Sequence, residues 1–318
     1  MIVVPAPLPD ELVNGYRGRV LRLNGWLPTK QNARCLLGQY VGHKTSFHDL
    51  PMGQLLAHMT QMSLERFVSN HSMYPLQRAV AKDVTGGLMG VGPYRKAAEM
   101  QLFRVPRPRA YLCQSCIKED LDFHGVSYWR REHQIPGYFS CGKHGDPLWS
   151  IGNFQRHAFE QSPASAMQDA IPTKRELVDS QNSSPANIRY LEICSHLLVC
   201  QWVLSKTAVS QLALGRALEL GLEVDEQNIL KSLYRSGEVR SFFNAQWLEL
   251  AIAETVKCSL PRPVESMGGV WNATFAAALI FGALHPTGDD AINAMSCTTE
   301  TEATCDNASG SHSSDGYT

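Results

Sequence analysis

The stretch CQSCIKEDLDFHGVSYWRREHQIPGYFSCGKH, residues 113–144, decides how this chain folds. Cys113 and Cys116 open it and Cys141 and His144 close it, a C-x2-C-x24-C-x2-H array of two knuckles at metal-ligand spacing with a helix-sized insert between them. Three thiolates and one imidazole complete the shell of tetrahedral Zn(II) and leave no position for the water or substrate that a catalytic zinc must hold. The array predicts a closed structural zinc site that builds a small, zinc-ribbon-like module. One C-x2-C alone would carry little, but two knuckles within 32 residues carry the assignment.

The six cysteines outside the array, among them Cys35, Cys194, Cys200 and Cys258, show no pairing, and the total of nine is odd. Pro5, Pro7 and Pro9 break the N-terminal stretch where a secretory segment would need its apolar core. A disulfide framework is therefore not expected, and the thiols suit a reducing cytoplasm. At 318 residues, 44% hydrophobic and 19% charged, the chain has the composition of a globular protein with two substantial cores. Its longest apolar run, Phe275 to Leu284, is ten residues, about half of a membrane span.

Outward from the array, the expectation is a mainly α protein. Residues 1–100 read as helical: Leu12, Tyr16, Val20 and Leu23 recur at helical spacing after Pro9-Asp10-Glu11, whose acids suit the positive end of a helix dipole. Gly15 and Gly18 cost that helix about 1 kcal/mol each relative to Ala. A second apolar stripe runs through Leu50, Leu55, Leu56, Met59, Met62, Leu64 and Phe67. The glycines from Gly86 to Gly92 read as a flexible connection, and Gly38 to Thr45 lacks the Gly-Lys step of a nucleotide loop because His43 intrudes. Residues 101–159 hold the zinc module. Residues 160–187, rich in Ser, Pro, Gln and Asn, read as a linker. Residues 188–286 read as short helices, either a helix-turn-helix DNA reader or a helical packing domain. Residues 287–318 hold six acids and no Lys or Arg, the pattern of a disordered acidic tail.

Without that tail the body carries 29 basic and 24 acidic residues. The excess gathers before the zinc module, where Arg95, Lys96, Arg104, Arg107 and Arg109 face only Glu99, and Arg104, Arg107 and Arg109 become candidate phosphate contacts on DNA. Inside the insert, Ser127 is placed to cap a short helix that carries Trp129 to the core and ends at Pro136-Gly137, and His133 reads as a hydrogen-bonded structural group.

The segment Tyr128-Trp129-Arg130-Arg131-Glu132-His133-Gln134-Ile135-Pro136-Gly137, followed by Cys141-Gly-Lys-His144-Gly145, resembles the TniQ family, which includes target selectors of bacterial transposons. The family signature falls here on Tyr128, Trp129, Arg130, His133, Gln134, Pro136 and Gly137, with weaker echoes at His71-Ser-Met-Tyr-Pro75 and at Pro9-Asp10-Glu11-Leu12. Gln114 and Gly142 stand where the family usually has Pro, while the ligands are kept. The resemblance implies a non-enzymatic, cytoplasmic bacterial adaptor for transposition, with structural Zn2+. It would link target DNA or a target-bound complex, such as a CRISPR effector or another selector, to an AAA+ ATPase regulator of the TnsC/TniB kind, and it would form a homodimer. The alternative is a zinc-stabilised DNA-binding transcription regulator. A zinc-supported His-Asn-His nuclease built on His144 or His133 with Asn153 and His157 would take His144 from the metal. A nucleobase deaminase lacks its His-x-Glu and Pro-Cys-x-x-Cys.

Overall fold

The computed structural model describes residues 2–26, 51–82, 84–91, 102–152, 158–256 and 270–296, and it is mainly helical. The expectations on Leu50, on Gly38 to Thr45, on Arg95, Lys96 and Glu99, on Gly92, on Asn153 and His157, and on 297–318 lie outside those residues. Among the described residues no helix is long and apolar enough to cross a membrane.

The N-terminal region is built from α1 (Val13–Leu23), α2 (Met52–Met59), α3 (Leu64–His71) and α4 (Tyr74–Arg78). Leu12, Tyr16 and Val20 are buried as the periodicity requires, and Leu23 is exposed. The glycines of α1 have a tertiary cause. A Cβ on Gly15 would stand 2.7 Å from Trp129 Cδ1, and one on Gly18 would stand 2.7 Å from the Glu160 carbonyl, so the propensity cost admits close approach of the module. The second stripe forms two helices, α2 and α3. Gln61 turns the chain at φ 58°, and Ser63 caps α3 by accepting from Arg66 N–H, so the stripe bends back on itself and folds over α1. Gly86, Gly87 and Gly90 take positive φ in a turn that buries Leu88 and Met89 and offers the Gly87 carbonyl to Arg78 Nε.

Two small sheets follow. Val80–Ala81 (β1) pairs in parallel with Leu204–Ser205 (β5), which ties the N-terminal region to the C-terminal helices. Ala110–Leu112 (β2), Trp149–Ile151 (β3) and Ala170–Pro172 (β4) form an antiparallel sheet in the order β2-β3-β4. Helix α5 (Gln114–His124) fills the first half of the insert between the knuckles.

Residues 160–187 do not form the expected linker. They carry α6 (Pro163–Ala166), a 3-10 turn at Met167–Asp169, β4 and α7 (Arg175–Asn182). The polar residues that suggested a loop are caps and buried hydrogen-bonding groups. Ser162 accepts from Ser165 N–H to start α6, and Gln181 Oε1 accepts from the N–H groups of Phe139 and Ser140. Asn187, fully buried, donates to the Ser180 carbonyl. Composition registers such residues as loop formers, while the fold uses them to satisfy backbone.

The C-terminal part consists of α8 (Pro185–Val199), α9 (Lys206–Glu219), α10 (Ile229–Arg235), α11 (Gly237–Ser241), α12 (Ala245–Val256) and α13 (Val270–Leu284). The apolar run from Phe275 to Leu284 lies on α13, which packs against α4, β1, α8, α9, α10 and α11. Apolar on all sides, α13 is a central buried helix. Gly282 comes near the Ala186 carbonyl and Tyr190 N–H and lets α8 lie close. Of the expected disordered tail, residues 288–296 are helical, and Ala291 and Met295 are buried in the same core. One cluster of buried side chains runs from Leu12 through Cys113, Trp129 and Leu148 to Trp247, Phe281 and Met295, so the two cysteine knuckles and the C-terminal helices share a core.

Candidate metal centre

Each knuckle is held by an element that ends or begins at it. Strand β2 delivers Cys113, which sits at the N-cap of α5, and Cys116 lies in the first turn of that helix. The second knuckle is a tight turn: Cys141 N–H donates to the Asp146 carbonyl, Gly145 N–H donates to the Cys141 carbonyl, and β3 follows. The three cysteines are buried, at 1%, 3% and 2% exposure for Cys113, Cys116 and Cys141.

The donor atoms of Cys113, Cys116, Cys141 and His144 all lie within 4.8 Å of one another. His144 Nδ1 is 3.6 Å from Cys113 Sγ and 3.5 Å from the sulfurs of Cys116 and Cys141, and Cys116 Sγ is 3.7 Å from Cys141 Sγ. A tetrahedral zinc with bonds of about 2.3 Å to sulfur and about 2.0 Å to nitrogen spaces its sulfurs about 3.8 Å apart and sulfur from nitrogen by about 3.5 Å. The four residues fit one such ion. Without it the Cys113 and Cys141 thiols titrate high, first because each hydrogen-bonds a neighbouring sulfur, Cys116 for Cys113 and Cys113 for Cys141.

His133 stands behind the cluster, with Nε2 4.0 Å from Cys116 Sγ. Burial, then the charges of Arg130 and Arg107, pushes its pKa down to about 3, which keeps the ring neutral with one N–H to donate. A cleft of about 690 Å3 opens beside the cluster between α5 and the C-terminal end of α8, with Glu119, Lys143 and Arg130 on its wall and Phe123, 84% exposed, on its rim.

The three motif segments of the sequence meet around this centre. Asp10 accepts Arg131 Nε at 2.8 Å and Glu132 N–H at 3.2 Å, and Leu12 N–H donates to the Trp129 carbonyl at 2.7 Å. Asp10 and Glu11 therefore lie before α1, and their carboxylates pair with Arg131 and Arg19 instead of serving its dipole. Glu11 is fully buried and grips Arg19 through both oxygens, at 2.9 and 2.6 Å. His71 Nδ1–H donates to the Glu11 carbonyl at 3.0 Å.

Burial, opposed by that carbonyl and reinforced by Arg131, lowers the His71 pKa to about 4. Its folded pKa lies below its unfolded value, so the contribution of a neutral His71 is present above about pH 6.5 and is lost as pH falls toward 4, at most about 3 kcal/mol. The stability gap between wild type and His71→Asn, measured by urea unfolding, should narrow by about 2 to 3 kcal/mol from pH 7 to 4.5. A gap independent of pH would refute this reading.

The signature segment is not the capped helix that Ser127 suggested. Ser127 Oγ accepts from Ala164 N–H, Trp129 lies outside any helix, and the only helical turn from Ser127 to Gly137 is the 3-10 turn Glu132–Gln134. Trp129, 1% exposed, packs edge-to-face on Phe159 and donates Nε1–H to the Gln161 carbonyl. Arg130 stacks over Tyr128 at 4.3 Å and pairs with Asp120 at 2.6 Å. The Gln134 amide accepts from Tyr111 N–H and donates to the Tyr111 carbonyl, a side chain standing in for a strand partner of β2. Gly137, at φ 81°, offers its carbonyl to Trp247 Nε1 and its N–H to Glu254 Oε2; a Cβ there would stand 2.7 Å from Trp247.

The candidate DNA patch breaks up. Arg107 is fully buried: Nη2 pairs with Glu254 Oε1 at 2.7 Å, Nη1 donates to the carbonyls of Tyr138 and His133, and the guanidinium lies 3.2 Å from the centre of the Tyr111 ring. Arg104 is half-buried, and Arg109 is exposed with Nη1 3.4 Å from Ser150 Oγ. A basic run before a β-strand looks solvated in sequence; the acid that captures Arg107 lies 147 residues away. Glu254, Trp247, Asp10 and Glu11 were missed as site residues, since only the fold brings them to the signature segment.

No curated protein matches the chain. The family model TniQ matches residues 2–148, a span that ends just beyond the second knuckle and contains all three interlocked motifs. Residues 2–148, a little under half of the chain, thus form a region similar to the TniQ family.

Proposed function

We propose that this chain is a non-enzymatic adaptor of transposition in the bacterial cytoplasm, linking target DNA or a target-bound complex to an AAA+ ATPase regulator that recruits the transposase. The observation that carries this reading is the TniQ domain with its motifs intact, pinned to one another around the Cys113, Cys116, Cys141 and His144 cluster. A zinc ion held by three thiolates and an imidazole has a full shell, so it serves folding and offers substrate no place. The polar side chains of the signature are engaged within the fold: Arg130, Arg131, His133 and Gln134 contact Asp120, Asp10, Cys116 and Tyr111. Such a domain presents a rigid surface to partners, among them DNA, a CRISPR effector or other selector, and a second copy of the chain. Hydrolysis and strand transfer then belong to the partners.

The test is capture of the zinc-loaded protein by an AAA+ transposition regulator, with ATP and DNA present or absent. Capture that depends on both is the expected result. A zinc-loaded protein that binds DNA and fails to capture the ATPase would favour a free-standing DNA-binding regulator, for which exposed Lys231, Arg235 and Arg240 on α10 and α11 offer phosphate contacts.

A further inference from the structure

His144 reaches the cluster through Nδ1, and its other nitrogen is not free. Nε2 lies 2.9 Å from Glu119 Oε1, while the second oxygen of Glu119 pairs with Lys143 Nζ. Glu119 is three residues beyond Cys116 on α5, which puts it on the same helix face as that ligand and turns it toward the second knuckle. A neutral imidazole carries one N–H. With the Nδ1 lone pair directed at the sulfurs and any ion among them, the proton must sit on Nε2, and the Glu119 carboxylate is the acceptor that receives it.

We infer that Glu119 is a positioning residue for the metal: it fixes the Nε2–H tautomer of His144, aims Nδ1 into the cluster, and makes the imidazole a stronger donor. This rests on the reading of Cys113, Cys116, Cys141 and His144 as zinc ligands. The side chains of Glu119 and Lys143 are 45% and 62% exposed, so their ion pair is a surface pair that adds little to folding by itself. The effect of Glu119 is therefore exerted on the histidine it faces. Both residues line the cleft beside the cluster, and that edge of the site is where a chelator gains access.

The experiment compares full-length wild type, Glu119→Gln, Glu119→Ala and Lys143→Ala, each loaded with zinc. It reads the rate of zinc release to a chromogenic chelator and the 15N and Nε2–H signals of His144. Glu119→Ala should release zinc about 10 to 100-fold faster and lose the slowly exchanging Nε2–H signal. Glu119→Gln, whose amide oxygen still accepts but lacks charge, should fall between, and Lys143→Ala should stay near wild type. If Glu119→Ala folds poorly, the same ordering between Glu119→Gln and wild type decides. Equal release rates and unchanged His144 signals would overturn the role of Glu119 while leaving the zinc site standing. A wild type that purifies without stoichiometric zinc would remove the ligand assignment, and this inference with it.

Discussion

Replacing Cys113 or Cys141 with Ser should abolish the cooperative melt of the whole chain described here, not merely loosen one knuckle. Structural zinc contributes on the order of 10 kcal/mol or more to small domains that depend on it. Here the ligands are also core residues: Cys113, Cys116 and Cys141 belong to the same buried cluster as Trp129, Leu148, Trp247 and Phe281. Cys113 further starts α5, and Cys141 anchors the turn that feeds β3. Loss of the ion leaves three packed sulfurs and an imidazole with no cation to hold them, and β2, α5 and β3 lose their common anchor. Calorimetry of the zinc-quantified variant, and of wild type after chelation, checks this. A mutant with an unchanged, cooperative transition would sink the structural-zinc assignment.

Arg107→Ala should cost about 3 to 5 kcal/mol, the range for breaking a buried ion pair from one side. The substitution leaves Glu254 charged in the core with only Tyr111 OH and Gly137 N–H to solvate it, and it leaves the Tyr138 and His133 carbonyls without their donor. Arg107→Lys should rescue little, because an ammonium cannot reach two carbonyls and a carboxylate at once while stacking on Tyr111. Glu254 lies on α12 and Arg107 before β2, so the pair clamps the metal module to the C-terminal helices. Urea unfolding gives the magnitude, and a loss below about 1 kcal/mol would show that the guanidinium is solvated instead. DNA affinity per folded molecule should not change with Arg107, in contrast to a phosphate contact, which would flatten the salt dependence.

Much of the candidate site was legible in sequence because metal chemistry is local. A thiolate pair at C-x2-C and its C-x2-H counterpart are constrained by turn geometry within four residues, so spacing alone announced Cys113, Cys116, Cys141 and His144. Helix periodicity likewise placed Leu12, Tyr16 and Val20 inward, whereas the apolar run from Phe275 to Leu284 gave only its length, and the fold makes it the buried helix α13. The roles of Gly15, Arg107, Gln181 and Ser127 were not legible. Each is set by a partner far along the chain: Trp129, Glu254, the backbone of Phe139 and Ser140, and Ala164 N–H.

The amino-acid sequence by itself determined the helical class, the four residues of the candidate metal cluster and the family motifs, since periodicity and ligand spacing act over a few residues of chain. Only the tertiary structure decided which polar residues are surface and which are core. A buried charge or amide is tolerated only where a partner meets it, and for Glu11, Arg107, Gln134 and Glu254 that partner is chosen by the packing of the strands and helices that carry them.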